Sequence, residues 1–196
     1  MLNLHFSFNF QKSLQASLHL LRLAGGRMWN IDLLKMLYIA DRESLAEEGH
    51  TITGDFVNAL PRGPILRTVL NLIKNKDSQS EQWHYFIGTC YNVSTRRLDV
   101  FAKKYVPLEE GELCRFEKEI LDRVFQEHRG KDLVAYTHTF LEWKKYEESI
   151  NSSKKKSYPI TIQDILEGIG KPELIERVKR NVAEQKYYSK LFGVAR

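Results

Sequence analysis

Residues 30–64, NIDLLKMLYIADRESLAEEGHTITGDFVNALPRGP, constrain this chain more than any other stretch. A segment with helical spacing stops at Gly49, runs into a region dense in turn formers, and meets a Gly63-Pro64 step. Leu34, Leu37, Tyr38 and Leu45 share one face of an amphipathic helix, and Asp41 falls on that same face. A carboxylate on an apolar stripe costs on the order of a few kcal/mol unless hydrogen-bond donors meet it. The expected donors are the backbone N–H groups of residues 51–55 or the guanidinium of Arg62. Asp41 therefore reads as a brace for the following loop and not as a catalytic acid, because no second carboxylate beside it has an acid/base role.

The remaining segments read as mostly helical. Leu14, Leu18 and Leu21 predict a first helix over residues 10–24, stopped by Gly25-Gly26. Asn30 is the expected N-cap of the second helix. Residues 51–62 are expected to form a long loop in which Thr53-Gly54-Asp55 is a local turn, with Asp55 accepting backbone N–H groups. Pro64 suits the first position of a third helix, where its missing N–H costs nothing. Residues 83–90 and 98–105, rich in aromatic and β-branched side chains, predict a β-hairpin. Helix resumes over 109–127, with Cys114 packed mid-helix, and Asp132 opens another helix carrying Thr137, His138 and Trp143. Residues 151–157 read as a linker, Thr161-Ile-Gln-Asp164 as a capping box, and the chain closes on a helix reaching about residue 190. The expected fold class is mainly α (α+β), a compact multi-helix domain with one β-hairpin packed on the helices. Residues 1–150 form that domain and 151–196 a basic helical extension packed on it or flanking it.

The formal charge is +5, and its placement is informative. Residues 151–196 hold ten Lys or Arg against five Asp or Glu, which leaves 20 of each sign in residues 1–150. A basic tail fits nucleic acid, an acidic protein partner or a solvated helix face. Arg177, Lys179 and Arg180 share the last helix with Tyr187 and Tyr188, a mixture of charges and aromatic anchors that suits a protein interface. The six histidines are scattered with no metal-ligand spacing, and neither a P-loop, a dinucleotide fingerprint nor a GxSxG nucleophile is present. No metal or cofactor is expected. His138 is either a general base or a core histidine bonded to a backbone carbonyl, and without a nucleophile beside it the core role is favoured. Trp143 reads as a core anchor. Two cysteines without a metal pattern, and no long apolar run, fit a reducing cytoplasm and no membrane span.

With those residues in view, the central stretch resembles the signature of the SocA-like antitoxin family, also called the Panacea domain. The resemblance rests on Leu37-Tyr38-Ile39-Ala40-Asp41-Arg42, Gly49, Ile52-Thr53-Gly54-Asp55, Phe56 and Gly63-Pro64, with Thr137-His138 and Trp143 resembling a second, weaker motif. It covers residues 10 to about 145. It implies a non-enzymatic antitoxin of a bacterial or prophage two-gene system, which neutralises a separately encoded toxin by direct binding. One relative delivers its toxin to a protease, so a protease is a further implied partner. The exposed candidates for partner contact are the loop before Pro64, with Phe56 and Arg62, and the tail helix. A DNA-binding repressor of its own operon is the alternative.

Overall fold

A computed structural model describes residues 4–103 and 111–192. The predicted strand end at 105 and the predicted helix start at 109 lie outside the described residues.

The chain begins with α1 (Phe10–Leu23), where the Asn9 side chain accepts the Lys12 N–H at 2.9 Å and satisfies one orphan donor of the first turn. The short strand β1 (Arg27–Trp29) leads into α2 (Asn30–Glu48). Asn30 is the first residue of α2, and the cap position is Trp29, which makes no side-chain capping bond. Around α2 lie α1, α3 (Arg67–Ile73), α5 (Arg115–His128), α6 (Leu133–His138) and α8 (Ile162–Gly168), together with β1, β3 (Gly63–Leu66) and β5 (Arg97–Ala102). The helix is consequently buried on nearly every side: Leu33 to Asp41 are all buried, including Lys35 and Asp41 themselves. The amphipathic reading of this helix is thus corrected. Over residues 33–41 its polar residues meet internal partners, whereas Glu47 and Glu48 at its C-terminal end are exposed.

The mainly helical class holds, with more strand than one hairpin. The predicted hairpin is narrower than expected: α4 (Ser80–Phe86) takes up Trp83, and the strands are β4 (Ile87–Asn92) and β5. Trp83 is buried against Phe10, so packing of one large ring wins over the local β-propensity. β1 joins this hairpin antiparallel, in the order β1-β5-β4. A second sheet forms where a loop was expected. β2 (Val57–Leu60) and β3 pair antiparallel across the two-residue turn Pro61-Arg62, and β6 (Tyr158–Ile160) adds to the other edge of β2. Pro64 therefore sits in a strand, and the helix begins three residues later at Arg67. Proline is tolerated here because β3 is an edge strand.

The helix opened by Asp132 splits in two. The Asp132 side chain accepts the Val134 and Ala135 N–H groups, α6 ends at His138, and α7 (Leu141–Ser152) restarts after Phe140 with Trp143 in its first turn. Cys114 is not mid-helix; it is the exposed N-cap of α5, and its own N–H is met by Glu117 Oε2 at 2.9 Å. The capping box at Thr161 is present. After a short 3-10 turn (Pro172–Leu174), α9 (Ile175–Phe192) returns across the end of α2. Among the described residues no helix is long and apolar enough to cross a membrane.

Gly54 fixes the N-terminal segment against the centre. Its φ is +67°, and a Cβ there would stand 2.1 Å from the Ser7 carbonyl oxygen. Because the obstacle is backbone, Gly54→Ala combines a left-handed strain with a clash that side-chain movement does not relieve. We expect this substitution to lower unfolding free energy by more than about 1 kcal/mol in urea titration, whereas Gly111→Ala, with open space around it, leaves stability unchanged within about 0.5 kcal/mol.

Candidate functional site

The residues of the central motif converge on α2 and the segment after it. Asp41 Oδ1 accepts the Ile52 and Thr53 N–H groups at 2.8 and 2.9 Å, and its Oδ2 accepts the Thr53 hydroxyl. Arg62 is not among its donors; it sits exposed at the β2–β3 turn. Asp55 works the same way at longer range. It accepts the N–H groups of Phe56 (2.7 Å), Thr68 and Val69 (both 2.9 Å), so it caps the start of α3 from outside the helix. Thr53 Oγ1 in turn accepts the Asp55 N–H at 3.1 Å, joining the two braces.

A second polar cluster sits on the next turn of α2. Glu142, from the first turn of α7, is buried, and its Oε1 accepts from Tyr38 Oη at 2.8 Å and Arg42 Nε at 2.7 Å. The Arg42 guanidinium lies 4.2 Å from the Phe140 ring centroid, a cation–π contact. Glu142 Oε2 is buried without a hydrogen-bond partner among the described residues, against the backbone of Gly168. Burial, followed by the Glu142 charge, holds the Tyr38 phenol well above its ordinary range.

The third cluster is the one sequence reasoning missed. Lys35 is fully buried, and its Nζ donates to the Pro64 carbonyl at 2.8 Å. A Cβ on Gly63 would stand 2.4 Å from that nitrogen and 2.7 Å from Thr137 Oγ1, so glycine permits β3 to meet α2 and α6. His138 packs here. Its ring stacks on Trp143 at 3.9 Å and 5°, and Trp143 Nε1 donates to the Leu60 carbonyl at 2.9 Å. Burial and then the Lys35 charge lower the His138 pKa, while a backbone hydrogen bond to Pro61 opposes them. His138 Nε2 is buried without a hydrogen-bond partner among the described residues. The only sequence sign of Lys35 was a cation inside the otherwise apolar run LLKML.

Above the braces is a cleft of about 300 Å³, bounded by residues 4–6, 51–58 and 159–165 together with α2 and Arg67. Asp41, Arg42, Gly54, Asp55 and Phe56 all line it. Phe56 is 49% exposed and stands 4.8 Å from the His5 ring, at the cleft's lip. The tail candidates are elsewhere and are not equivalent. Arg177 is paired to Glu48 at 2.7 Å and also reaches the Glu47 carbonyl, so it holds α9 onto α2. Lys179 pairs within α9 to Glu176. Arg180, Tyr187 and Tyr188 are exposed, and the Tyr188 and Phe192 rings lie stacked at 6.2 Å. Glu43, Glu127 and His128 place donor atoms within 4.8 Å of one another, but Arg123 already takes Glu43 through two hydrogen bonds.

Two buried ions give the fold opposite pH dependences. Burial pushes the Asp41 carboxyl from 3.8 up to about 7, against the pull of its three donors. Between those values the native state holds the extra proton, so this stability is fully present below about pH 4 and is lost as pH rises through 7. Burial lowers Lys35 from 10.5 to about 7, so its contribution is present above pH 10.5 and is lost as pH falls through 7. Urea titrations from pH 5 to pH 10 should show the acid-side decline flattened in Asp41→Asn and the alkaline-side rise flattened in Lys35→Met.

No curated protein and no solved structure matches this chain significantly. The family described as Antitoxin SocA-like, Panacea domain, matches residues 33–144, more than half of the chain, from the first buried turn of α2 to just past Trp143. The chain carrying this braced helix and cleft belongs to the SocA-like antitoxin family, as a Panacea-domain protein.

Proposed function

We propose that this protein neutralises a cognate protein toxin by binding it directly, without chemistry of its own. The observation that carries this reading is the family match across residues 33–144. The site geometry supports it. Asp41 and Asp55 use their oxygens to hold backbone N–H groups, Glu142 to hold Tyr38 and Arg42, and His138 is stacked on Trp143. These contacts use the motif's polar groups to hold the fold together, as a scaffold would.

The groups left for a partner are the exposed ones. Phe56 stands at the cleft, Arg62 at the β2–β3 turn, and Tyr187, Tyr188, Leu191 and Phe192 at the end of α9. The Ser7 N–H donates to Gln185 Oε1 at 2.8 Å, so the segment bordering the cleft is tied to the same part of α9. A stable complex buries about 1,000 Å² or more, which exceeds one small cleft and calls on both areas. Arg177 is a strut between α9 and α2 in this reading, and contact falls to Arg180 and the aromatic residues.

Co-expression with the product of the adjacent gene tests the proposal. We expect the neighbour to arrest growth alone, to be harmless beside this protein, and to co-elute with it. A toxin level that stays constant marks stoichiometric neutralisation, and a falling level marks delivery to a protease. A neighbour that is toxic and unrescued sinks the reading, and steeply salt-dependent binding to the operon's promoter would replace it with the repressor.

A further inference from the structure

The cleft has an electrostatic imbalance that its bracing role leaves unused. Its walls are largely apolar, with Phe6, Val57, Ile160, Ile162 and Ile165 among them. Its carboxylates are spent: Asp41 and Asp55 accept from backbone N–H groups and the Thr53 hydroxyl, with both oxygens of each occupied. Its two cations differ: Arg42 is ion-paired to buried Glu142, whereas Arg67 is not so paired among the described residues. Arg42 gives Nε to Glu142 while its guanidinium faces the cleft and the Phe140 ring. Arg67, at the first position of α3, is exposed and has no acidic partner among the described residues. An apolar cavity with the unpaired Arg67 guanidinium at its edge and no uncommitted carboxylate favours an anion that carries an apolar body.

Size narrows the occupant. About 300 Å³ is at the small end of ligand pockets, room for one aromatic or long aliphatic side chain. The lip supplies Phe56 and His5, rings against which such a side chain packs on entry. Resting on the toxin-neutralising reading, we propose that the cleft seats a short segment of the toxin, which inserts one large apolar side chain and sets a carboxylate from the same segment against Arg67. The apolar insertion supplies most of the affinity, as buried anchors do at interface centres. The arginine sets the register and rejects basic segments, since its fork matches a carboxylate and repels a cation.

The test uses the full-length protein and the purified product of the adjacent gene, with affinity read by titration calorimetry at physiological salt. Phe56→Ala removes the lip, Arg67→Glu reverses the charge, and Arg67→Gln removes the charge while keeping most of the stem. Arg129→Glu, an exposed change on the far end of α5, is the control. Circular dichroism melting shows that each variant is folded. We expect Kd to rise about tenfold or more for Phe56→Ala and Arg67→Glu, less for Arg67→Gln, and not at all for Arg129→Glu. A single Asp→Arg or Glu→Arg change in the toxin should restore binding to Arg67→Glu.

The failures separate. If wild type binds the toxin and all three cleft variants bind equally well, the cleft proposal is overturned while the antitoxin reading stands, and the cleft is left to a small anionic ligand. If Phe56→Ala weakens binding and neither Arg67 variant does, the carboxylate contact is overturned. If wild type does not bind at all, the antitoxin reading itself fails.

Discussion

A helix surrounded by protein on nearly every side has nowhere to put its polar residues except against internal partners, and α2 is such a helix. Lys35, Tyr38, Asp41 and Ser44 are all buried along it. Each unmet charge there would cost several kcal/mol, so the surrounding elements are positioned by what these residues demand. Asp41 draws the 52–53 backbone onto the helix, Tyr38 and Arg42 draw in Glu142 and with it α7, and Lys35 draws in the Pro64 carbonyl and with it β3. Polar contacts thus join the second sheet and α7 to the centre alongside the apolar core, to which Val57, Leu66, Ile160, Trp143 and Ile150 belong.

That arrangement explains why acids and cations divide as they do at the cleft. A carboxylate accepts several N–H groups at once, which makes it suited to gathering loose backbone, and Asp41 and Asp55 are both consumed in that task. Arginine has no lone pair for a backbone N–H, so it cannot serve as such a brace and stays at the margin. Structural need therefore consumes Asp41, Asp55 and, through Glu142, Arg42, while Arg62 and Arg67 stay exposed. The same logic applies on α9, where Arg177 reaches the exposed carbonyl of Glu47 at the end of α2 and the Glu48 side chain. Cations at a helix C-terminus meet its unpaired carbonyls and the negative end of its dipole.

Much of the fold was legible because local signals agreed with the tertiary result. The α1 stripe, the glycine stops, the Asp132 and Thr161 caps and the core of the 87–102 hairpin depend on contacts within a few residues, and sequence displays such contacts directly. The misreadings occurred where distant contacts prevailed. Trp83 looked like a strand residue and is helical because its ring is needed beside Phe10. Pro64 looked like a helix start and is a strand residue because β2, and beyond it β6 from nearly a hundred residues later, offers a sheet to join. Lys35 was passed over because a lone cation in a helix ordinarily points to solvent. Periodicity does not show that a helix lacks a solvent face.

The sequence by itself determined the helical class, the family through the spacing of its central motif, and the bracing role of Asp41, because each of these is written in residue type and short-range order. The tertiary structure decided which donors Asp41 takes, that Asp55 caps a helix thirteen residues away, that Arg177 is a strut, and that Arg67 faces a cleft beside Phe56. These depend on where separate segments come to lie in space. Hydrogen bonding and charge act over a few ångströms, and only the packed chain sets which groups come that close.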